Sequence, residues 1–177
     1  MKRFTFILLA LLSLSLLISC NNTEPQQADA PKNPACVKIA ADIIESFSVS
    51  TDDFDAFSFA DESARLDEAT ISLFYGNIED DGDPDFSHVT DYYVLIPVTT
   101  VATEIGVFKV DDAANADSLK AYFSNRSTAR ANTFAPYNEA ESIKARNALI
   151  GSEGCYVWYI ITDTNREIEA KILEAIK

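Results

Sequence analysis

The front of the chain decides how much of it is free to fold as a globule. Lys2 and Arg3 lead into a Leu-rich stretch, residues 4–18, broken only by Thr5, Ser13 and Ser15, which closes on Leu17-Ile18-Ser19-Cys20. A positive start, an apolar middle and a small residue before a cut make up an export signal. The apolar run is shorter than the ~20 residues a membrane-crossing helix needs. Residues 1–19 are therefore expected to be removed as a signal peptide, leaving the fold to the residues after the cut.

An aliphatic residue three before the cut, a small one just before it and cysteine just after it resemble the lipobox of bacterial diacylglyceryl-modified lipoproteins. That resemblance implies acyl chains on Cys20, palmitate among them, and a protein held at the cell membrane on its extracytoplasmic face. Two or more chains hold a protein stably, at about 0.8 kcal/mol per buried methylene. Residues 21–34 contain three prolines, two glutamines and three asparagines and almost nothing apolar. Such a segment cannot bury enough surface to fold, so 20–34 is expected to be a lipidated tether.

Removing Lys2 and Arg3 from 14 basic groups leaves 12 against 28 acidic ones, a formal charge of −16. A domain so charged is repelled by nucleic acid and by anionic headgroups, which leaves the lipid as its contact with the membrane and argues against a nucleic-acid partner.

Residues 35–177 suit a single domain. Pro34 precedes a helix over 35–47 whose apolar stripe is Val37, Ala41, Ile44 and Phe47. Residues 48–61 read as a loop folding Phe54, Phe57 and Phe59 inward. A short helix follows from Asp67 with Ile71 and Phe74, stopping at Gly76-Asn77. Residues 92–101 and 103–110 are β-branched and aromatic enough to be two strands of a hairpin. Pro97 donates no ladder hydrogen bond, so the first of them is expected at an edge or with a bulge there.

A helix beginning after Asp111-Asp112 carries Ala116, Leu119, Phe123 and Ser127 on one face and ends near Arg130. Asn138 and Glu141 have capping-box spacing for a helix to Arg146. A second hairpin, 148–151 and 156–162, turns at Ser152-Glu153-Gly154. Thr164 and Glu167 repeat the capping spacing before a last helix with Ile168, Ile172 and Ile176 inward. The expected fold is α+β: an antiparallel sheet of about four strands, in two hairpins, with helices packed mainly on one face.

One set of residues carries a further likeness: Glu104-Ile105-Gly106-Val107-Phe108-Lys109 before a helix, Arg126, Tyr137-Asn138-Glu139, Ala148-Leu149-Ile150, Gly154-Cys155-Tyr156-Val157 and Asp163. Together they resemble an uncharacterised bacterial lipoprotein family, domain of unknown function 4358, over roughly residues 36–165. The resemblance implies a lipobox, a short tether and this fold and location. It implies no activity.

Several constellations bear on chemistry. Asn77, Glu79, Asp81 and Asp85 sit at positions one, three, five and nine of a calcium-type loop with Gly82 at six, but His88 stands where the bidentate glutamate belongs. The plainer reading is a solvated acidic turn, with no metal. His88 is the sole histidine. No Gly-x-Ser-x-Gly, Ser-x-x-Lys or His-Glu-x-x-His pattern accompanies it, so neither a catalytic set nor a cofactor is expected.

Cys36 and Cys155 either form a disulfide or are two separate thiols. Arg126 and Arg130, four apart on one helix face, with Tyr137 close in sequence, either clamp a carboxylate or anion or pair with Glu139 or Glu141. Tyr92, Tyr93, Tyr156, Trp158 and Tyr159 form an aromatic row, either exposed or covered by a helix. These features suggest a non-enzymatic envelope module binding a small ligand or another envelope protein. The competing class is an envelope hydrolase acting on cell-wall or carbohydrate substrates with a carboxylate pair drawn from Asp81, Asp83 and Glu104.

Overall fold

The computed structural model describes residues 32–76 and 84–177. The expected signal peptide, Cys20, most of the expected tether, and Asn77, Glu79, Asp81 and Asp83 lie outside them. The elements run α1 (Cys36–Phe47), β1 (Phe54–Ser58), α2 (Glu68–Tyr75), β2 (Val89–Pro97), β3 (Glu104–Val110), α3 (Ala116–Phe134), α4 (Glu139–Arg146), β4 (Leu149–Glu153), β5 (Tyr156–Ile161) and α5 (Asn165–Ile176). The fold is α+β, with a five-stranded antiparallel sheet in the order β1-β2-β3-β5-β4.

The fifth strand comes from the segment expected to be a loop. Phe54, Phe57 and their neighbours pair with β2, Phe54 opposite Pro97 and Ser58 opposite Tyr93. β2 is therefore an interior strand, not an edge. Pro97 is tolerated because it is the strand's last residue, and the irregularity in the β2–β3 ladder falls at Val89/Asp91 instead.

Helices cover both faces of the sheet rather than mainly one. Alternate residues point to opposite sides. Ile105 and Val107 of β3 with Tyr156, Trp158 and Ile160 of β5 meet α1 and α5. Phe108, Val110, Val157, Tyr159 and Ile161 meet the layer of α2, α3 and α4. The unbroken apolar run Tyr156–Ile161 has this cause, since every residue of β5 is buried.

The buried side of α1 is Cys36, Ile39, Ala40 and Ile43, one step around the helix from the expected stripe; Val37 and Ala41 face outward. Both stripes have helical spacing, and a tertiary bond sets the rotation. The Cys36 N–H donates to Asp91 Oδ2 on β2 at 2.7 Å, supplying the N-terminal carboxylate that Ala35 cannot. Asn33 and Pro34, just before the helix, accept the Tyr156 hydroxyl through Oδ1 and the carbonyl. Asn138 caps α4 as its spacing predicts, with Oδ1 accepting the Glu141 N–H. Thr164 makes no such bond.

Gly106 is required by close approach. A Cβ there would overlap the ring of Tyr159, which lies flat on β3 and brings its hydroxyl within 3.1 Å of that of Tyr75. Burial pushes both phenols well above their usual pKa, so they stay protonated.

Candidate functional site

The sheet has two distinct ends. Residues 32–34, the beginning of α1 and the last turn of α5 lie at the β4–β5 turn, where Lys32 donates to the Glu174 carbonyl and Lys177 faces Glu153 at 3.5 Å. At the opposite end are the β2–β3 loop (98–103), the α3–α4 turn and the start of α5. Residue 32, the first of the described residues, thus lies at the end away from that loop.

Glu104 opens β3 at the loop end, and its parity with Gly106 and Phe108 turns it toward α3. It is fully buried. Arg126 grips it twice, Nε to Oε2 at 2.9 Å and Nη2 to Oε1 at 2.7 Å. One helical turn on, Arg130 Nε stands 2.8 Å from Oε1. That contact is ionic without a well-aligned hydrogen bond, since no acceptor lies along the N–H. The two guanidiniums stack on Phe74 and Phe134, at 4.7 and 4.9 Å from the ring centroids.

For Arg126, burial works to lower the pKa and the Glu104 carboxylate overcomes it, so the pKa rises. For Arg130, burial outweighs the same carboxylate and the pKa falls. The difference follows the geometry, because Arg126 holds Glu104 with two aligned bonds and Arg130 with none.

From here the network fastens the β2–β3 loop residue by residue. Arg130 Nη2 donates to the Val101 carbonyl at 2.5 Å, and the Ala102 N–H donates to Glu141 Oε2 at 2.6 Å. Lys144 reaches Thr103 Oγ1 and pairs with Glu141 at 3.0 Å and Asp163 at 3.3 Å. The Ala102 and Lys144 contacts overcome burial and lower the Glu141 pKa, while Glu141 and Asp163 overcome burial and raise that of Lys144. Three acids balance three bases, so the network carries no surplus charge. Its chemistry is to hold a loop rigid, with Val98, Thr99 and Thr100 exposed at the tip and Tyr137, 63% exposed, packed beside Phe134.

Of the residues singled out in the sequence, Arg126, Arg130 and Glu104 meet here, with Tyr137 at their rim. The arginines take Glu104 as partner rather than Glu139 or Glu141. Sequence reasoning missed Lys144 and residues 101–103, and it named Asp163 only as part of the family likeness; the signal that joins them is tertiary. Glu104 did leave a trace, as the single acid in a strand whose other inward residues are apolar.

Cys36 and Cys155 are two separate thiols. Cys36 packs with α1 and α5 and Cys155 against the opposite layer, so the sheet lies between them. Burial, then the nearby Asp91 carboxylate, raises the Cys36 pKa far above its usual range and keeps the thiol protonated. Most of the aromatic row is covered: Tyr92, Tyr156, Trp158 and Tyr159 are buried, and Tyr93 is half-buried.

Ser87, through its side chain and then its N–H to Asp85 Oδ1, lowers the Asp85 pKa, and the Asp85 N–H donates to the Tyr122 hydroxyl. Among the described residues, no group of three or more His, Cys, Asp or Glu side chains is placed to hold a metal. His88 pairs with Asp111 on the surface, Nδ1 to Oδ2 at 3.0 Å. No family model matches the chain, and no curated protein or solved structure shows significant similarity to it.

Proposed function

We propose that the chain is a lipid-anchored extracytoplasmic protein, a non-enzymatic interaction module of the cell envelope that presents its 98–103 loop and Tyr137 outward. Acyl chains on Cys20 hold it at the membrane, and residues 20–34, at ~3.4 Å per residue, allow a stand-off of up to about 50 Å. The observation that carries the reading is polarity. The tether joins the domain at the end away from the loop, and the Glu104–Arg126–Arg130 and Glu141–Lys144–Asp163 contacts stiffen that loop. A loop held by six charged groups keeps its shape before a partner arrives, which lowers the ordering cost of binding.

The likeness to the lipoprotein family belongs to the same proposal. Glu104 and Arg126, two residues that carry the likeness, are bonded to each other. Two measurements test the reading. Labelled palmitate enters the native chain and not Cys20→Ala, which leaves the membrane fraction. A photoreactive residue at position 137 crosslinks to an envelope component in living cells, whereas the same residue at position 171, on the tether side, does not. Crosslinking from 171 alone would reverse the polarity and sink the proposal.

A further inference from the structure

The sheet has two edges, and they are defended differently. On β1, Asp55 stands within the strand and Asp52 and Asp53 precede it, charges that resist pairing by another strand. β4 offers Leu149, Ile150, Gly151 and Ser152 in succession before its first charge at Glu153. Beyond its ladder with β5, none of its backbone groups is engaged by another described residue. On the α1/α5 side the middle of β4 is covered by a ring from the neighbouring strand. There Trp158 presses on Gly151 so closely that a Cβ would come within 2.7 Å of the indole Nε1, and the indole N–H has no acceptor.

Charge is also uneven beside this edge. Arg146 closes α4 three residues before β4 and is exposed. It alone among the described arginines makes no hydrogen bond, ion pair or ring contact; each of the others holds a partner. Arg166, on the rim of an open cleft of about 480 Å³ between α4 and the start of α5, reaches Glu169 only at 3.9 Å. Lys144 and Arg166 share the cleft with Asp163 and Glu167, so its charges balance, and Arg146 is left as the one free guanidinium near the start of the open strand among the described residues.

We infer that the β4 edge takes up an extended, acidic segment of another polypeptide as a sixth strand, antiparallel to β4, with its carboxylate-bearing C-terminal end against Arg146. Main-chain hydrogen bonds supply the affinity, and alternate side chains with the terminal acids supply the selectivity. A second copy of this chain fits less well. Pairing β4 with β4 sets a strongly acidic chain against itself and offers Arg146 only Glu153, which already faces Lys177.

The test titrates the full chain, as isolated from cells in detergent, with the peptides Thr-Val-Thr-Val-Thr-Glu-Glu and Thr-Val-Thr-Val-Thr-Lys-Lys, reading amide hydrogen exchange along the molecule. The glutamate peptide slows exchange at alternate residues of 149–153 and leaves 54–58 unchanged. Arg146→Glu weakens that binding by about tenfold, as loss and reversal of a facing charge requires, without moving the melting temperature. Equal protection by the lysine peptide, protection at β1, protection of 149–153 that grows with protein concentration alone, or no protection at millimolar peptide each overturns the inference.

Discussion

The two faces of the sheet are built on different principles. Against α1 and α5 the interface is a dry aliphatic layer, with Ile39, Ile43, Ile168, Ile172 and Ile176 meeting Ile105, Val107 and Ile160 around Trp158. Against α2, α3 and α4 it is aromatic, with Tyr75, Phe108, Phe123 and Tyr159 in mutual contact, and it encloses the Glu104–Arg126 pair. The first face is held by area and shape, which many side-chain arrangements satisfy. The second is held by a charge that has to meet its partner, because a buried ion without one is costly. Specificity of docking is thus concentrated on the α3 side, beside the loop end.

The largest expected effect breaks the ionic side. Glu104→Ala leaves Arg126 buried without its carboxylate and lowers unfolding stability by about 3–5 kcal/mol in urea titration. If the pair is a matter of docking rather than of net energy, Glu104→Leu with Arg126→Met recovers most of that loss while loosening the 98–103 loop, seen as faster hydrogen exchange at Val101–Thr103. A double variant as unstable as the single one would show that the faces do not differ in this way.

On the dry side, Ile172→Ala costs about 2–4 kcal/mol, transfer and cavity terms together, and leaves loop exchange unchanged. Coupled changes at both faces would erase the contrast.

The smallest effect lies at the surface, where His88 tests how much an exposed pair contributes. The Asp111 hydrogen bond, then its charge, raises the His88 pKa above 6.5. A raised folded-state value means that the pair's contribution is complete below the unfolded pKa and is lost as pH rises through the folded one. NMR titration of His88 gives a midpoint above 6.5, and Asp111→Asn brings it down. An unchanged midpoint in that variant would mean that the hydrogen bond does not set it.

Helices α3 and α5 are legible in the sequence because apolar residues recur at helical spacing, and α4 because Asn138 and Glu141 have capping spacing. Ile168, Ile172 and Ile176 are buried as their spacing predicts. On α1 two stripes have acceptable spacing, and the choice between them waits on Asp91, 55 residues away. β1 is illegible for a related reason. Asp55 and Ser58 break its apolar pattern, and only pairing to β2 makes it a strand. The helix spacing of Arg126 and Arg130 is visible, but the carboxylate between them comes from a strand 22 residues earlier.

What the sequence by itself determined is whatever depends on near neighbours: the acidic charge, the helices, the paired strands β2–β3 and β4–β5, and the α+β class. What only the tertiary structure decided is which side of α1 faces in, that helices cover both sides of the sheet, where Cys36 and Cys155 lie, and which acid answers the two arginines. Local periodicity follows from bonds within a few residues. A buried carboxylate, by contrast, is satisfied by whichever partner the folded chain brings within 3 Å, and nothing in its own neighbourhood names that partner.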